Sequence, residues 1–234
     1  MNKVFGLFLC IMAALAGSNL YAQRNDTVGT RKIIKPSRDF VMVQLTYENW
    51  AGTLDDIKIG GIGRGFNAYI CYDFPISKSN FSFAAGIGVG TSNIYFDDQV
   101  AEMNTSSSSI DFKDVDDTYY KKSKLATAYL EAPFELRFFG DNENRNRGFK
   151  AAVGVRVGML VDAHSKVKHS LYGPTIVEKV STKRYVQGWR FAPTARIGWG
   201  NFSLFGSYNV TQLFNSGEGP SVYPYSIGLC VTGL

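Results

Sequence analysis

Ten charged residues stand at alternate positions in segments whose other positions are mostly apolar. Five are acids, at Glu48, Asp73, Glu131, Glu135 and Asp162, and five are bases, at Arg137, Lys150, Arg156, Arg190 and Arg196. A charge in a low-dielectric interior must be paired or hydrogen-bonded. If the ten share one face, their balance predicts an interlocked network of ion pairs. A path for protons or ions along the acids is the alternative.

A cluster of aspartates is the second candidate for chemistry. Asp111, Asp114, Asp116 and Asp117 lie within seven residues of one another. Hard cations bind several converging oxygen ligands, but the spacing lacks the glycine and the terminal glutamate of a calcium loop. A solvated acidic loop is therefore the favoured interpretation. The cluster is only a weak candidate metal site, and no cofactor is predicted.

A third group combines histidine and serine. His164 and His169 flank Ser165 and Ser170, close to Asp162. A catalytic serine needs a base within hydrogen-bond reach and a third group that orients the base. Proximity in sequence does not supply that geometry, and no Gly-x-Ser-x-Gly nucleophile turn occurs. We therefore expect a protein without enzymatic activity.

The elements that must position these residues read as long strands. From residue 39 onward apolar and polar residues alternate with a period of two. Eight stretches follow this pattern, over residues 39–50, 62–74, 81–96, 123–139, 148–162, 184–199, 202–213 and 222–233. Strands of soluble sheets average about 5–6 residues, whereas a tilted strand needs about 9–11 to cross a bilayer. The lengths favour strands that cross a membrane.

The connections between the stretches alternate in length. Those at 75–80, 140–147 and 200–201 are short, whereas those at 51–61, 97–122, 163–183 and 212–221 are longer. Short turns at one rim and long loops at the other are typical of outer-membrane barrels. The prediction is an all-β fold over residues 39–234. It is an eight-stranded antiparallel up-and-down transmembrane β-barrel with short periplasmic turns and longer extracellular loops, and a lipocalin-like soluble barrel is the alternative.

The two faces of these strands differ in a way that favours the membrane barrel. In the fifth stretch Lys150, Gly154 and Arg156 alternate with Val153 and Val155. Glycine has no use on a solvent face, but the narrow lumen of eight strands needs small residues between long charged ones. The charged face is therefore expected to line the lumen. The apolar face is expected to contact lipid.

Composition excludes several other classes. The chain is 45% hydrophobic, which is too much for a disordered protein. Its net charge of +5 is mild and dispersed, so no nucleic-acid partner is predicted. Beyond residue 22 no apolar run approaches the length of a transmembrane helix, which argues against a helical membrane bundle.

The N-terminus carries the pattern of an export signal. Lys3 precedes an apolar run from Val4 to Ala16, and small residues lead to Ala22. We predict a signal peptide over residues 1–22 and a basic periplasmic segment over residues 23–38. Cys71 and Cys230 would then remain, on predicted strands that flank the first strand. That separation predicts two free thiols.

At this point the sequence resembles the PorT-type eight-stranded outer-membrane β-barrels, within the wider OmpA/OmpX-like barrel group. The resemblance rests on the strand Tyr129–Phe138, the glycines Gly86, Gly88 and Gly90, the strand Val153–Gly158 and the closing Tyr225–Leu229. One departure is the end of the chain, Val231–Leu234, where such barrels usually have an aromatic residue. The resemblance implies the outer membrane of a Gram-negative cell. It also implies, for some members, a part in protein secretion of the type IX kind.

Two functions remain open. The first is an accessory of protein secretion or envelope assembly, and the second is a structural or adhesive surface barrel whose extracellular loops bind a partner. A small-solute channel is disfavoured by the narrow lumen. The expected partners are outer-membrane lipid, a protein of the secretion machinery or periplasm, and lipopolysaccharide, whose phosphates would suit the basic stretch 163–184. The neighbouring stretch 97–122 is acidic, so the two could pair across the mouth of the barrel or stay independent.

Overall fold

This computed structural model describes residues 40–233 except 55, 78, 104–105, 117–119, 142–146 and 171–173, with only the backbone of residue 121. The predicted signal peptide and the basic segment 23–38 lie outside the described residues. No helix in the described part is long and apolar enough to cross a membrane. Its strands are β1 (Val41–Gly52), β2 (Gly63–Pro75), β3 (Phe81–Phe96), β4 (Gln99–Glu102), β5 (Asp111–Asp114), β6 (Tyr120–Phe139), β7 (Phe149–His169), β8 (Ile176–Ser181), β9 (Trp189–Trp199), β10 (Phe202–Tyr208) and β11 (Val222–Thr232).

Eight of these strands close into a barrel. The order around the ring is β1, β2, β3, β6, β7, β9, β10 and β11, and β11 pairs back onto β1. Every pairing is antiparallel, and each strand neighbours the next barrel strand along the chain. The predicted eight-stranded up-and-down barrel is confirmed. Two predicted strands are shorter than expected, because β9 starts at Trp189 and β10 ends at Tyr208.

The outer surface of the barrel is an apolar belt. Side chains such as Ile70 on β2, Ile87 on β3, Val153 on β7 and Leu204 on β10 are exposed there. Trp199, at the rim with the short turns, is 70% exposed. A continuous apolar surface of this extent marks contact with another apolar phase rather than with water. The belt is what a lipid-facing wall requires.

A β-bulge divides the longest hairpin into two parts. The register between β6 and β7 shifts at Ala128 and Tyr129, which pair with Asp162 and Leu160 and leave Val161 as an extra residue in β7. An extra residue reverses which side chains of its strand face each way. Below the bulge the even-numbered residues of β7 face the lumen. Above it the odd-numbered residues face inward.

The bulge corrects one sequence prediction. Asp162 was expected among the lumen charges, but the shift turns it to the outer face, where its side chain is 40% exposed. A strict period of two carries no information about an inserted residue. The prediction for Asp162 is therefore wrong.

Three further strands lie in the long connections, where the sequence pattern predicted only loops. β4 and β5 form a hairpin between β3 and β6, and β8 pairs with the upper part of β7. These strands are four to six residues long. Segments this short give too few alternations to be recognised in a sequence. They turn the loop rim into an ordered extension of the barrel.

An apolar cluster closes the barrel at the loop rim. The Trp50 ring lies 5.7 Å from Phe96 and 5.9 Å from Phe214, measured between ring centroids. Phe112 of β5 packs onto the same two rings, at 5.4 and 6.3 Å. Buried Tyr185 belongs to this cluster. The β4–β5 hairpin is thereby fastened over the mouth of the barrel.

The two cysteines of the described residues, Cys71 and Cys230, are buried free thiols inside the barrel. Cys230 lies opposite Gln44 of β1, whereas the backbone N–H of Cys71 donates to the carbonyl of Phe40. Their positions along β1 thus differ by four residues, or about 13 Å at the rise of an extended strand. A disulfide needs Cα atoms about 4.4–6.8 Å apart. The two thiols are too far apart to join.

We expect both thiols to be reduced and to be shielded from alkylating reagents by their burial in the folded barrel. For a chain that begins at Gln23, iodoacetamide should add no label in native detergent and two labels in guanidinium, as read by intact mass. A native mass two hydrogens short, with no labelling after denaturation, would contradict the geometry.

Candidate functional site

Among the described residues, nine buried charged side chains lie in the lumen. They are Glu48, Asp73, Glu131, Glu135, Arg137, Lys150, Arg156, Arg190 and Arg196. With Asp162 outside, the set has four acids and five bases rather than five of each. The residues form an inner cluster around Glu131 and a second cluster around Glu135, nearer the short turns. Between them packs a small apolar group that includes Met42, Phe205 and both cysteines.

Glu131 is the centre of the inner cluster. Its Oε1 atom accepts a hydrogen bond from Arg190 Nε at 2.6 Å and lies 3.3 Å from Arg156 Nε. Tyr69 donates its hydroxyl proton to Oε2 at 2.5 Å. Arg156 Nη1 in turn donates to the Tyr69 oxygen at 2.9 Å. One carboxylate on β6 thus holds two arginines and a tyrosine from three other strands.

The two arginines of this cluster have further partners. Arg156 Nη2 donates to Ser207 Oγ at 3.0 Å. The Arg190 guanidinium lies 4.1 Å from the centroid of the Tyr129 ring. Glu48 faces both guanidinium groups from β1. Removing a charge from water costs free energy, and these contacts offset that cost. A buried charge without such partners would leave the protein less stable.

Glycine makes room for this cluster. A Cβ atom built at Gly90 would collide with the Glu131 carboxylate, and one at Gly158 would lie 3.0 Å from Arg190 Cγ. Both glycines face the lumen from β3 and β7. Their presence on the charged face follows from the lack of space between the paired groups.

The second cluster is built around Glu135. Its Oε2 atom lies 2.8 Å from Arg137 Nε and 3.1 Å from Arg196 Nη2. Arg137 Nη1 is 3.6 Å from Asp73 Oδ1, which also accepts a hydrogen bond from Ser82 Oγ at 2.7 Å. These groups lie on β2, β3, β6 and β9. The cluster therefore ties opposite walls of the barrel together.

Lys150 lies apart from both clusters, near the short turns. Its Nζ atom is 5.6 Å from the centroid of the Phe139 ring and 3.4 Å from Thr232 Oγ1. An aromatic face and a hydroxyl are thus two of the groups that surround this buried ammonium group.

Several members of the network escaped the sequence analysis because they are neutral. Tyr69 was not singled out, and neither were Asn67 and Gln44, whose side chains meet at 3.0 Å. Their spacing in the sequence could have placed them in the lumen. Asn67, Tyr69 and Asp73 all occupy odd positions of β2, so parity alone places them on one face.

The network is a packed interior rather than a conduit. A cavity of about 10 Å³ lies in the lumen between Arg190 and Trp50, which is room for about one water molecule. A proton relay needs groups that exchange protons, and an arginine guanidinium does not deprotonate in proteins. Glu131 and Glu135 each lie between two arginines. This arrangement favours the interlocked polar core over a proton path.

The aspartates of the weak candidate metal site are not brought together among the described residues. Asp114 pairs with Lys58 at 3.0 Å and accepts a hydrogen bond from Gln99 at 3.1 Å, and these bonds lower the pKa of its carboxyl group. Asp111 stands at the other end of β5, whereas Asp117 lies outside the described residues. In the described part no three His, Cys, Asp or Glu side chains are placed to hold a metal ion.

His164 contacts Asp162, whereas Ser165 faces the other side of β7, so these two are not arranged as a nucleophile and its base. His164 Nδ1 lies 2.7 Å from Asp162 Oδ2, and Ser181 Oγ donates to the other oxygen of Asp162 at 3.0 Å. Ser181 therefore bonds to the carboxylate and not to the histidine. Ser165 is buried on the opposite face of β7.

Replacing Arg156 tests whether the lumen charges are packed as described. Arg156→Met removes one of the two cations bound to Glu131, so the free energy of unfolding should fall by about 3–5 kcal/mol. Exposed Lys168, changed to Met in the same way, should alter it by less than about 0.5 kcal/mol. Urea unfolding in a lipid-free zwitterionic detergent measures both. Equal midpoints for the two variants would contradict the packing.

Two solved structures are similar to this chain. The attachment invasion locus protein Ail of Yersinia pestis, crystallised with the heparin analogue sucrose octasulfate, is 13% identical to this chain. The match covers 82% of this chain and 96% of that chain, with a TM-score of 0.39. For Neisserial surface protein A the identity is 14%, the coverage 82% and 94%, and the TM-score 0.33. No curated protein matches the sequence.

A family assignment comes from the sequence itself. Residues 40–216 match the family described as the outer membrane protein beta-barrel domain. The matched range spans the barrel from β1 to beyond β10, including both charge clusters and the bulged hairpin. The chain belongs to this family and is a multi-pass protein of the Gram-negative outer membrane.

Proposed function

We propose that this protein is a non-enzymatic surface barrel whose extracellular part binds a partner outside the cell. The observation that carries the proposal is the ordered extension at the loop rim, made of the upper parts of β6 and β7, strand β8 and the β4–β5 hairpin. We call this structure the platform. It lies on the extracellular side, because the short turns of such barrels are periplasmic.

The platform is longer than a membrane anchor needs. β6 has 20 residues and β7 has 21, whereas about 9–11 suffice to cross the bilayer. The excess of about ten residues extends the hairpin by about 30 Å of strand. A binding surface built on paired strands is better defined than one on loose loops. The length thus supports a function outside the membrane.

The platform also contains a pocket. A cavity of about 440 Å³ lies between the β4–β5 hairpin and the inner side of β7 and β8. Its lining is largely apolar, with Val100, Met103, Val167 and Val180, and the buried Ser165 hydroxyl in it lacks a hydrogen-bond partner. Ligand pockets commonly have about 300–1,000 Å³ and few polar groups. An apolar side chain of a partner protein, with a group that bonds to a hydroxyl, would suit it.

The filled lumen supports the same proposal, because it argues against a function in transport through the barrel. Its arginines bind its acids, and the Trp50 cluster covers the extracellular end. A small-solute channel would need a continuous polar opening, which neither layer provides. The surfaces that remain are the platform and the periplasmic rim.

A secretion accessory of the type IX kind is the second candidate. It is favoured by the PorT-type resemblance and by the basic segment 23–38, with Arg24, Arg31, Lys32, Lys35 and Arg38 against Asp26 alone. Such a segment would extend into the periplasm and attract an acidic partner or anionic headgroups. It would use a different end of the protein from the platform.

The two candidates can be separated by two variants in a deletion strain of the source bacterium. In one, Gly-Ser-Gly replaces residues 99–114 and so removes the β4–β5 hairpin; in the other, residues 25–35 are deleted. Slower gel migration after boiling verifies that each barrel is folded. We expect loss of the hairpin to reduce cell adhesion to a matrix-coated surface at least several-fold, with secreted proteins unchanged.

The N-terminal deletion is the matched control and should leave adhesion intact. The reverse pattern, in which this deletion abolishes secretion while the hairpin variant adheres normally, would overturn the surface-binding proposal in favour of the secretion accessory.

A further inference from the structure

Five lysines occupy one outward face of the platform, where β6, β7 and β8 run side by side. Lys122 pairs with Lys168, and Lys124 pairs with Lys166. Lys166 also pairs with Lys179 on its other side. Residues directly opposite in a sheet have Cβ atoms about 4.5–5.5 Å apart, and like charges at that spacing are destabilising. We call these five residues the lysine ladder.

The bulge in β7 creates the ladder. Because Val161 is an extra residue, the even-numbered residues above it face outward, and Lys166 and Lys168 are both exposed. Without the bulge these two side chains would point to the inner side, where Val167 is buried instead. The inserted residue therefore brings the lysines of β7 into line with those of β6.

The middle of the ladder has little counter-charge among the described residues. Lys124 Nζ donates to Asn93 Oδ1 at 2.6 Å and lies 5.9 Å from the centroid of the Tyr95 ring, and both partners are neutral. Desolvation lowers the pKa of Lys124, and the charges of Lys166 and Lys179 lower it further. Repulsion between the lysines is therefore not relieved by these contacts.

The acids near the ladder lie at its edges. Asp97 and Asp98 line a small cavity together with Lys122. Asp162 is on the same face and close enough for its charge to interact with Lys179, but His164 and Ser181 bind its two oxygens. Glu178 of β8 alternates with Lys179 and faces the other side, towards the pocket.

Other lysines of the extracellular part do have acidic partners. Lys58 lies 3.0 Å from Asp114, and Lys113 lies 2.7 Å from Glu102. The ladder thus differs from the neighbouring lysines in carrying positive charge that is not neutralised by a directly bonded acid.

The ladder begins where the apolar belt ends. On β6 the outward residues from Phe138 to Leu130 are apolar, two alanines follow, and the next outward residue is Lys124. The 14-residue rise from Phe138 to Lys124 corresponds to about 35 Å along the barrel axis for a tilted strand. The apolar belt of such barrels is about 25 Å tall. Lys124 therefore lies about 10 Å beyond the belt, at the depth of the lipid headgroups.

We propose that the lysine ladder binds the phosphate groups of lipopolysaccharide in the outer leaflet. A phosphate offers several strong acceptor oxygens and at least one full negative charge, and lysine binds it as a point charge on a flexible stem. Phosphates lying between neighbouring strands relieve the repulsion of each lysine pair. The lipid stays in the membrane, so this contact is separate from the external partner of the pocket.

The test uses the purified full-length protein in zwitterionic detergent, with binding read by native mass spectrometry. The probes are bisphosphorylated lipid A and the same lipid with its phosphates removed. The ladder variant is Lys166→Gln with Lys179→Gln. The control variant, Lys58→Gln with Lys113→Gln, removes the same charge from lysines that already have acidic partners. Altered gel migration after boiling verifies that both are folded.

Each lysine near an anionic surface strengthens binding about fivefold. The ladder variant, which loses two lysines, should therefore bind bisphosphorylated lipid A about 25-fold more weakly than the unchanged protein. The control variant should bind as the unchanged protein does, and the dephosphorylated lipid should bind all three equally weakly. Equal losses in both variants would reduce the effect to net charge and overturn the proposal. Equal binding of the two lipids by the unchanged protein would overturn it as well.

Discussion

The structure depends on one constraint, which is that charges inside an eight-stranded barrel have too little water around them and must bind one another. Glu131 meets this constraint by binding Arg156 and Arg190 together, with the Tyr69 hydroxyl completing its shell. These contacts join β6 to its neighbour β7 and, across one intervening strand on each side, to β2 and β9, so they hold this part of the wall in place. Glycines at the neighbouring positions follow from the same lack of space.

A lumen filled in this way leaves function to the ends and the outer wall. The bulge at Val161 matters here, because it separates two parts of β7 with different roles. Below it the strand contributes Arg156 to the core, and above it the strand presents lysines outward and apolar side chains to the pocket. One inserted residue thus converts a membrane strand into part of an extracellular surface, and it moves Asp162 from the predicted core to that surface.

Much of this architecture is readable from the sequence, because a barrel wall imposes a strict period of two on every strand. That period placed nine of the ten selected charges on the inward face. It failed at Asp162, since an extra residue breaks the period without any change in composition. It also missed β4, β5 and β8, which are too short to show a period. The partnership of Glu131 with two particular arginines depends on register across the ring, which a single strand does not encode. Asp117 and the segments 1–22 and 23–38 lie outside the described residues, so the predictions for them stand as made.

The central claim is that the lumen is a solid polar core and not a passage. Single-channel recording of the full-length protein in planar bilayers tests it most directly, with an ohmic porin as the positive control for insertion. The account predicts an unchanged baseline after verified insertion, at both signs of voltage and in molar salt, because the ion pairs around Glu131 and Glu135 and the Trp50 cluster block the axis in series. Stable unitary steps that scale linearly with voltage would contradict it.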